Sequence, residues 1–81
     1  MKMPRDISGA ELARLLKKLG YQITRQTGGH LRLTTSEGGQ HHVTVPNHNP
    51  IKVGTLAGIL IAVAAHFEIS RDELTHRLFE K

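Results

Sequence analysis

The chain reads as an α+β domain, an α-β-β-β-α-α order with a three-stranded antiparallel sheet and helices on one face. Three observations predict this. Apolar residues recur at helical spacing near the start and again after about residue 55. Between those stretches, three short segments alternate apolar and polar residues and are separated by glycine pairs. Antiparallel strands joined by tight turns, flanked by helices, form a two-layer domain with one greasy sheet face.

The first helix has a clear beginning. Ser8-Gly9-Ala10-Glu11 is a capping box, in which the Ser8 hydroxyl accepts from the Glu11 amide and the Glu11 carboxylate reaches back. Ile7 and Leu12 form a hydrophobic staple around it, and Leu12, Leu15, Leu16 and Leu19 follow at helical spacing. Gly20 suits the left-handed residue that ends a helix, and Lys17 and Lys18 suit the negative end of its dipole. The helix is predicted over about residues 8–19.

Tyr21-Gln22-Ile23-Thr24-Arg25, His30-Leu31-Arg32-Leu33-Thr34 and His42-Val43-Thr44-Val45 each alternate as a half-buried strand does. Gly28-Gly29 separates the first two, and Ser36-Glu37-Gly38-Gly39 has the composition of a hairpin turn. If Leu31, Leu33, Val43 and Val45 face the helices, then His30, Arg32, His42 and Thr44 face the other way. The sheet then has one apolar face and one basic, imidazole-bearing face.

Pro46-Asn47-His48-Asn49-Pro50 is a loop held stiff at both ends. A helix is predicted from about Thr55 to Phe67, with Leu56, Ile59, Leu60, Val63 and Phe67 as its core stripe. Its other side is unusual: Ala57, Gly58, Ile61 and Ala65 are small or apolar where a surface helix carries charge. This face is either a partner surface or is covered by the last helix. That helix starts at a second capping box, Ser70-Arg71-Asp72-Glu73, with an Ile69–Leu74 staple and Leu78 on its inner face. The element order resembles the double-stranded-RNA-binding fold, a likeness of architecture that carries no chemistry.

Length and composition bound the function. Eighty-one residues make one domain, 1–81, with no room for a second. There is no cysteine, hence no disulfide framework and no thiolate metal site. No stretch resembles a secretion signal or a membrane span, so a soluble cytoplasmic protein is expected. The net charge is +4 and unevenly spread: residues 1–52 carry eight Lys and Arg against three Asp and Glu, and residues 53–81 carry three against four. A basic first two-thirds is what attraction to phosphate needs, although an ordinary soluble surface has the same composition.

Phosphate-loop and dinucleotide fingerprints are missing. The carboxylates do not cluster, which argues against a two-magnesium nuclease. What remains is histidine, present six times: His30, His41, His42, His48, His66 and His76. Imidazole titrates near neutrality, so it can take a proton from a ribose 2′-hydroxyl or give one to a leaving 5′-oxygen. RNA carries its own nucleophile, leaving the protein to move protons and hold phosphate. His30 is the best-placed candidate. It follows Gly28 and Gly29, which allow close backbone approach to a ligand, and shares a strand face with Arg32. Lys52 and the amides opening the Thr55 helix offer phosphate contacts. The plainer reading of His30 is an ordinary surface histidine. No second proton-transfer group stands out; His48, Lys52 or water are the choices. His41 and His42 are adjacent on a strand and point to opposite faces, which argues against a shared metal ion. His66 and His76, outside the basic region, are expected to be solvated.

Arg25-Gln26-Thr27-Gly28-Gly29-His30, then Val43-Thr44-Val45-Pro46, then Lys52-Val53-Gly54-Thr55-Leu56 resembles the HicA mRNA interferase toxins. The Ser-Gly-x-Glu opening and Leu-Gly-Tyr ending of the first helix are similar too, so the likeness covers about residues 5–60 in order. It implies an RNA-binding-domain-like fold, cleavage of mRNA without a cofactor, a catalytic role for His30, and neutralisation by a HicB antitoxin in a possible homo- or hetero-oligomer. Two departures stand out. Gly29 occupies the place of the family's usual serine, removing a hydroxyl next to the imidazole, and Ile61–Glu68 is longer than in the shortest members.

Overall fold

The computed structural model describes residues 6–80. Lys2, Arg5 and Lys81, which enter the charge balance, and the outer ends of the expected domain 1–81 lie outside them. The elements are α1 (Gly9–Leu16), a 3-10 turn (Lys17–Leu19), β1 (Gln22–Thr27), β2 (His30–Thr35), β3 (His41–Pro46), α2 (Val53–Phe67) and α3 (Arg71–Phe79). The strands form one antiparallel sheet in the order β1-β2-β3, which makes β2 central. This is the expected α+β arrangement.

The Ser8–Glu11 capping box is present in both directions, at 3.1 and 3.3 Å. The predicted helix 8–19 divides in two, because its last turn tightens to 3-10 geometry before Gly20 turns left-handed at φ 84°. Thr35 ties that end to the sheet: its buried hydroxyl donates to the Leu19 carbonyl (3.0 Å) and accepts from the Glu37 amide (3.1 Å). Gly9 does a different job. A Cβ there would collide with the Pro46 carbonyl, so the opening of α1 packs directly on the exit of β3.

Leu31, Leu33, Val43 and Val45 are buried against the helices, while His30, Arg32, His42 and Thr44 are exposed on the other face. Leu12, Leu16, Tyr21, Leu56, Leu60, Leu74 and Leu78 complete one core. Removing a fully buried leucine such as Leu16 to alanine costs about 2–5 kcal/mol in such settings.

The first strand departs from simple alternation. It starts at Gln22, runs to Thr27, and its register shifts between Ile23 and Arg25: Ile23 faces Leu33, yet Arg25 faces Arg32. An extra residue, Thr24, is accommodated as a bulge, and everything after it changes face. Unbroken alternation from Ile23 would put Arg25 on the inner side; the bulge puts it on the outer face instead.

The second long helix begins two residues earlier than predicted, at Val53, with Lys52 as an extended N-cap that supplies no side-chain bond. At α3 the capping box is only half formed. Ser70 accepts from the Glu73 amide (3.0 Å), but the Glu73 carboxylate pairs with Arg77 one turn on (2.9 Å). The last helix does not cover the outer side of α2: Ile61 is 50% exposed, Ala65 is exposed and Ala57 half-buried. Among the described residues no single helix is long and apolar enough to cross a membrane.

Candidate functional site at the glycine turn

Thr27 and His30 pair directly, so Gly28-Gly29 is a two-residue hairpin loop. Gly28 has φ 45°, a left-handed conformation natural to glycine, whereas Gly29 has no positive φ. A Cβ on either would meet nothing within 4 Å. The turn is thus open where side chains would stand, and backbone amides there can approach a ligand. His30 follows it as the first residue of the central strand, exposed and paired across to Pro46.

Hydrogen bonds gather neighbouring segments around this end of the sheet. The Asn47 amide donates to the Gly29 carbonyl (2.7 Å), and the Gly9 amide to the His48 carbonyl (2.9 Å). The Ile51 amide donates to the Ile7 carbonyl (2.8 Å), so the loop leaving β3 is fastened at three points. That loop contains the cis Asn49–Pro50 bond and delivers Lys52, exposed, to the opening of α2, followed by exposed Thr55. Gly28, Gly29, His30, Asn47 and the opening of α1 are therefore assembled together. Lys52 and Thr55 stand at the far end of the same tethered loop.

The outer sheet face continues from His30. Arg32 lies between Arg25 on β1 and Thr44 on β3. Farther along, the hydroxyls of Thr24 and Thr34 bond at 2.9 Å, and Thr34 bonds His42 Nδ1 at 2.7 Å. No Asp or Glu occurs in any of the three strands. Arg25 is the site residue that alternation from Tyr21 misses. Counting back from the Gly28-Gly29 hairpin would have found it, since Thr27 opposite His30 puts Arg25 opposite Arg32.

A second histidine cluster occupies the other end of the sheet. His41 and His66 stack with centroids 4.4 Å apart and planes 9° from parallel. His41 Nδ1 is 2.7 Å from the Tyr21 hydroxyl, and His66 Nε2 donates to the Glu37 carbonyl at 2.9 Å. The Phe67 ring meets both His66 and Tyr21 edge-on. Burial pushes the Tyr21 phenol up to about 12. His41 is held below the ordinary imidazole value by partial burial first, then by the neighbouring His66 and His42. The expectation that His66 is solvated is thus corrected: α2 brings its last turn onto the start of β3. His76 is exposed, 3.3 Å from Glu80. Among the described residues no group of three His, Asp or Glu side chains is placed to hold a metal ion.

The family model for the HicA toxin of bacterial toxin–antitoxin systems matches residues 9–64, which spans α1, the whole sheet and most of α2. The chain belongs to the HicA toxin family. Neither a curated protein nor a solved structure matches it. Family membership makes this HicA-type chain the toxin member of a pair, with an antitoxin as its partner. The matched segment contains both the glycine turn with His30 and the outer sheet face; α3 lies beyond it.

Proposed function

We propose that this HicA-type toxin is a metal-independent endoribonuclease that cleaves single-stranded mRNA in the cytoplasm, as one domain over residues 1–81, with His30 as its catalytic residue. The observation that carries this is the position of His30: exposed, on the central strand, beside an open glycine turn and on a face without carboxylates. The 2′-oxygen of the ribose attacks the adjacent phosphorus and the bond from phosphorus to the 5′-oxygen breaks. His30 serves this displacement as base, removing the 2′-hydroxyl proton, or as acid, protonating the departing oxygen, with His48, Lys52 or water making the other transfer. A positioned imidazole contributes about 10²–10⁴-fold to such a step. Arg32 and Lys52 contact phosphates of the RNA, and amides at Gly28, Gly29 and the α2 opening near Thr55 offer further N–H donors to its backbone.

The antitoxin is taken to be HicB-like, covering His30, Arg32 and Lys52 and using the apolar outer side of α2 at Ala57, Ile61 and Ala65 for lasting affinity. Purified wild type and His30→Ala, each incubated with a long transcript, test the reading. Cleavage lost in His30→Ala, with the fold intact and with wild-type activity insensitive to EDTA, is the expected result. Undiminished cleavage by the variant refutes a catalytic His30, and activity abolished by EDTA and restored by magnesium refutes metal independence.

One observation favours a second reading, a non-catalytic RNA-binding module of the same fold. Among the described residues no side chain hydrogen-bonds the His30 imidazole to orient it. RNA binding with no cleavage products from wild type would establish that alternative.

A further inference from the structure

The outer face of the sheet holds a pairing that costs stability as it stands. Arg25 and Arg32 are directly opposite on adjacent strands, and like charges so placed repel. Among the described residues neither makes an ion pair. Ordinary strand alternation would have separated them, since Arg25 shares parity with inward-facing Ile23; only the bulge at Thr24 brings Arg25 round. Two independent features, an added residue in the ladder and a face empty of Asp and Glu, thus converge on a bare pair of guanidiniums. The pair is one step from the candidate catalytic group: His30 and Arg32 are two residues apart on β2, about 7 Å along the strand and on the same face.

A repulsive cationic pair is relieved by a ligand that places negative charge between its members. Guanidiniums bind phosphate oxygens through paired N–H donors, and two of them facing each other can hold one phosphodiester from both sides. The surroundings suit a polynucleotide backbone better than a folded acidic protein. Beyond the arginines the face is lined by Thr44 and by the Thr24–Thr34–His42 ladder, which offers hydroxyl and imidazole groups to sugar and phosphate rather than an apolar anchor. With RNA cleavage by His30 as the premise, we infer that Arg25 and Arg32 form a phosphodiester clamp for single-stranded RNA, which crosses the open face of the sheet with the scissile linkage at His30. Arg25 is a binding and positioning residue here, and the bulge at Thr24 is what installs it.

The test uses the full chain and a mixed-sequence 2′-O-methyl oligoribonucleotide. It has no 2′-hydroxyl to attack, so fluorescence anisotropy reads binding alone, over a range of salt. Arg25→Gln is expected to weaken binding about fivefold and to reduce the slope of log affinity against log salt by a part of about 0.7, the value for one phosphate on a single strand, because Arg32 still holds the shared phosphate. Arg32→Gln should match it. Arg25→Lys, which keeps the charge, should keep the slope. The urea midpoint of Arg25→Gln should equal or exceed that of wild type, because a repulsion is removed; a merely structural arginine would lower it and leave the slope unchanged. Arg14→Gln is the control. It lies on α1, on the other side of the sheet, beside a cleft of about 250 Å³ that also contains Lys17 and Ile23.

An unchanged slope in Arg25→Gln overturns the clamp. So does a larger loss in Arg14→Gln, which would place RNA in the cleft between α1 and β1, or a loss confined to antitoxin binding. Absence of oligonucleotide binding by wild type at low salt overturns it as well. The two readings fail separately. Full cleavage by His30→Ala alongside weakened binding by Arg25→Gln removes the catalytic role and leaves the clamp standing.

Discussion

The two ends of the sheet use histidine in opposite ways. At the Gly28-Gly29 end, His30 is exposed and makes no side-chain hydrogen bond among the described residues. At the other end, His41 and His66 are stacked, hydrogen-bonded to Tyr21 and to the Glu37 carbonyl, and walled by Phe67. The first arrangement adds little to stability but leaves both ring nitrogens available to a ligand. The second joins β3, α2, the start of β1 and the turn after β2, and leaves little for chemistry. Six histidines in a small domain are therefore not six equivalent candidates. Partners distinguish them: a histidine whose nitrogens are already used supports the fold, and one left open beside cations can serve a reaction.

The largest effect that divides the two ends is on rate. His30→Ala should lower cleavage by about 10²-fold or more while moving stability by less than about 0.5 kcal/mol. His41→Ala should do the reverse. It strands the Tyr21 hydroxyl, whose ring is fully buried, and removes the stacking partner of His66. The expected cost is about 1–3 kcal/mol in urea unfolding, with cleavage per folded molecule unchanged. If His41→Ala abolished cleavage in a fully folded protein, the division between the ends would be wrong.

Acid sharpens the same contrast. Because His41 is held below its ordinary value in the folded state, the unfolded chain binds protons more readily there. Stability contributed at this position is complete above the unfolded value of about 6.5 and declines as pH falls through it toward the folded value. Among the groups around His41, the Tyr21 phenol stays protonated throughout, His66 and His42 are the neighbours that lower its value, and the Glu37 backbone carbonyl does not titrate. Urea midpoints measured from pH 8 to pH 5 should fall for wild type and fall less for His41→Gln. Equal declines would show that the stacked pair is not a source of acid sensitivity.

Much of this is legible in the sequence, and what is not has identifiable causes. Both helix openings were marked by Ser-x-x-Glu, and the inward residues of β2 and β3 by alternation, because one-sided burial imposes a period of two. The first strand is ambiguous from sequence, because alternation from Tyr21 and register from the glycine hairpin give opposite faces for Arg25. Both are true locally, and the bulge reconciles them. The reciprocal bond at Glu73 failed because Arg77 competes for the same carboxylate. The His41–His66 stack could not be read at all. The two residues are 25 positions apart, and their meeting depends on how α2 lies across the sheet, which no local pattern encodes. The openness of His30 was inferred from adjacent glycines, a local signal, and that is why this end was the easier to see.

The smallest expected effect concerns those glycines, and it separates two reasons for having them. Gly28 needs its residue type: at φ 45° an alanine would be strained by about 1–2 kcal/mol although space is available. Gly29 does not, since it has no positive φ and a Cβ there points into open space. Gly29→Ser should therefore change stability by less than about 0.5 kcal/mol, while Gly28→Ser should lose as much as Gly28→Ala. A serine at 29 would put a hydroxyl immediately before His30. Comparing cleavage by Gly29→Ser with wild type then isolates what that hydroxyl contributes, without a folding effect to subtract. A faster variant means that the hydroxyl orients the imidazole or binds phosphate and that this chain works without that help. An unchanged rate means that the open backbone amides at the turn suffice. Stability lost equally at both positions would show that the turn requires glycine twice, and that the freedom of the backbone, rather than access to His30, explains the pair.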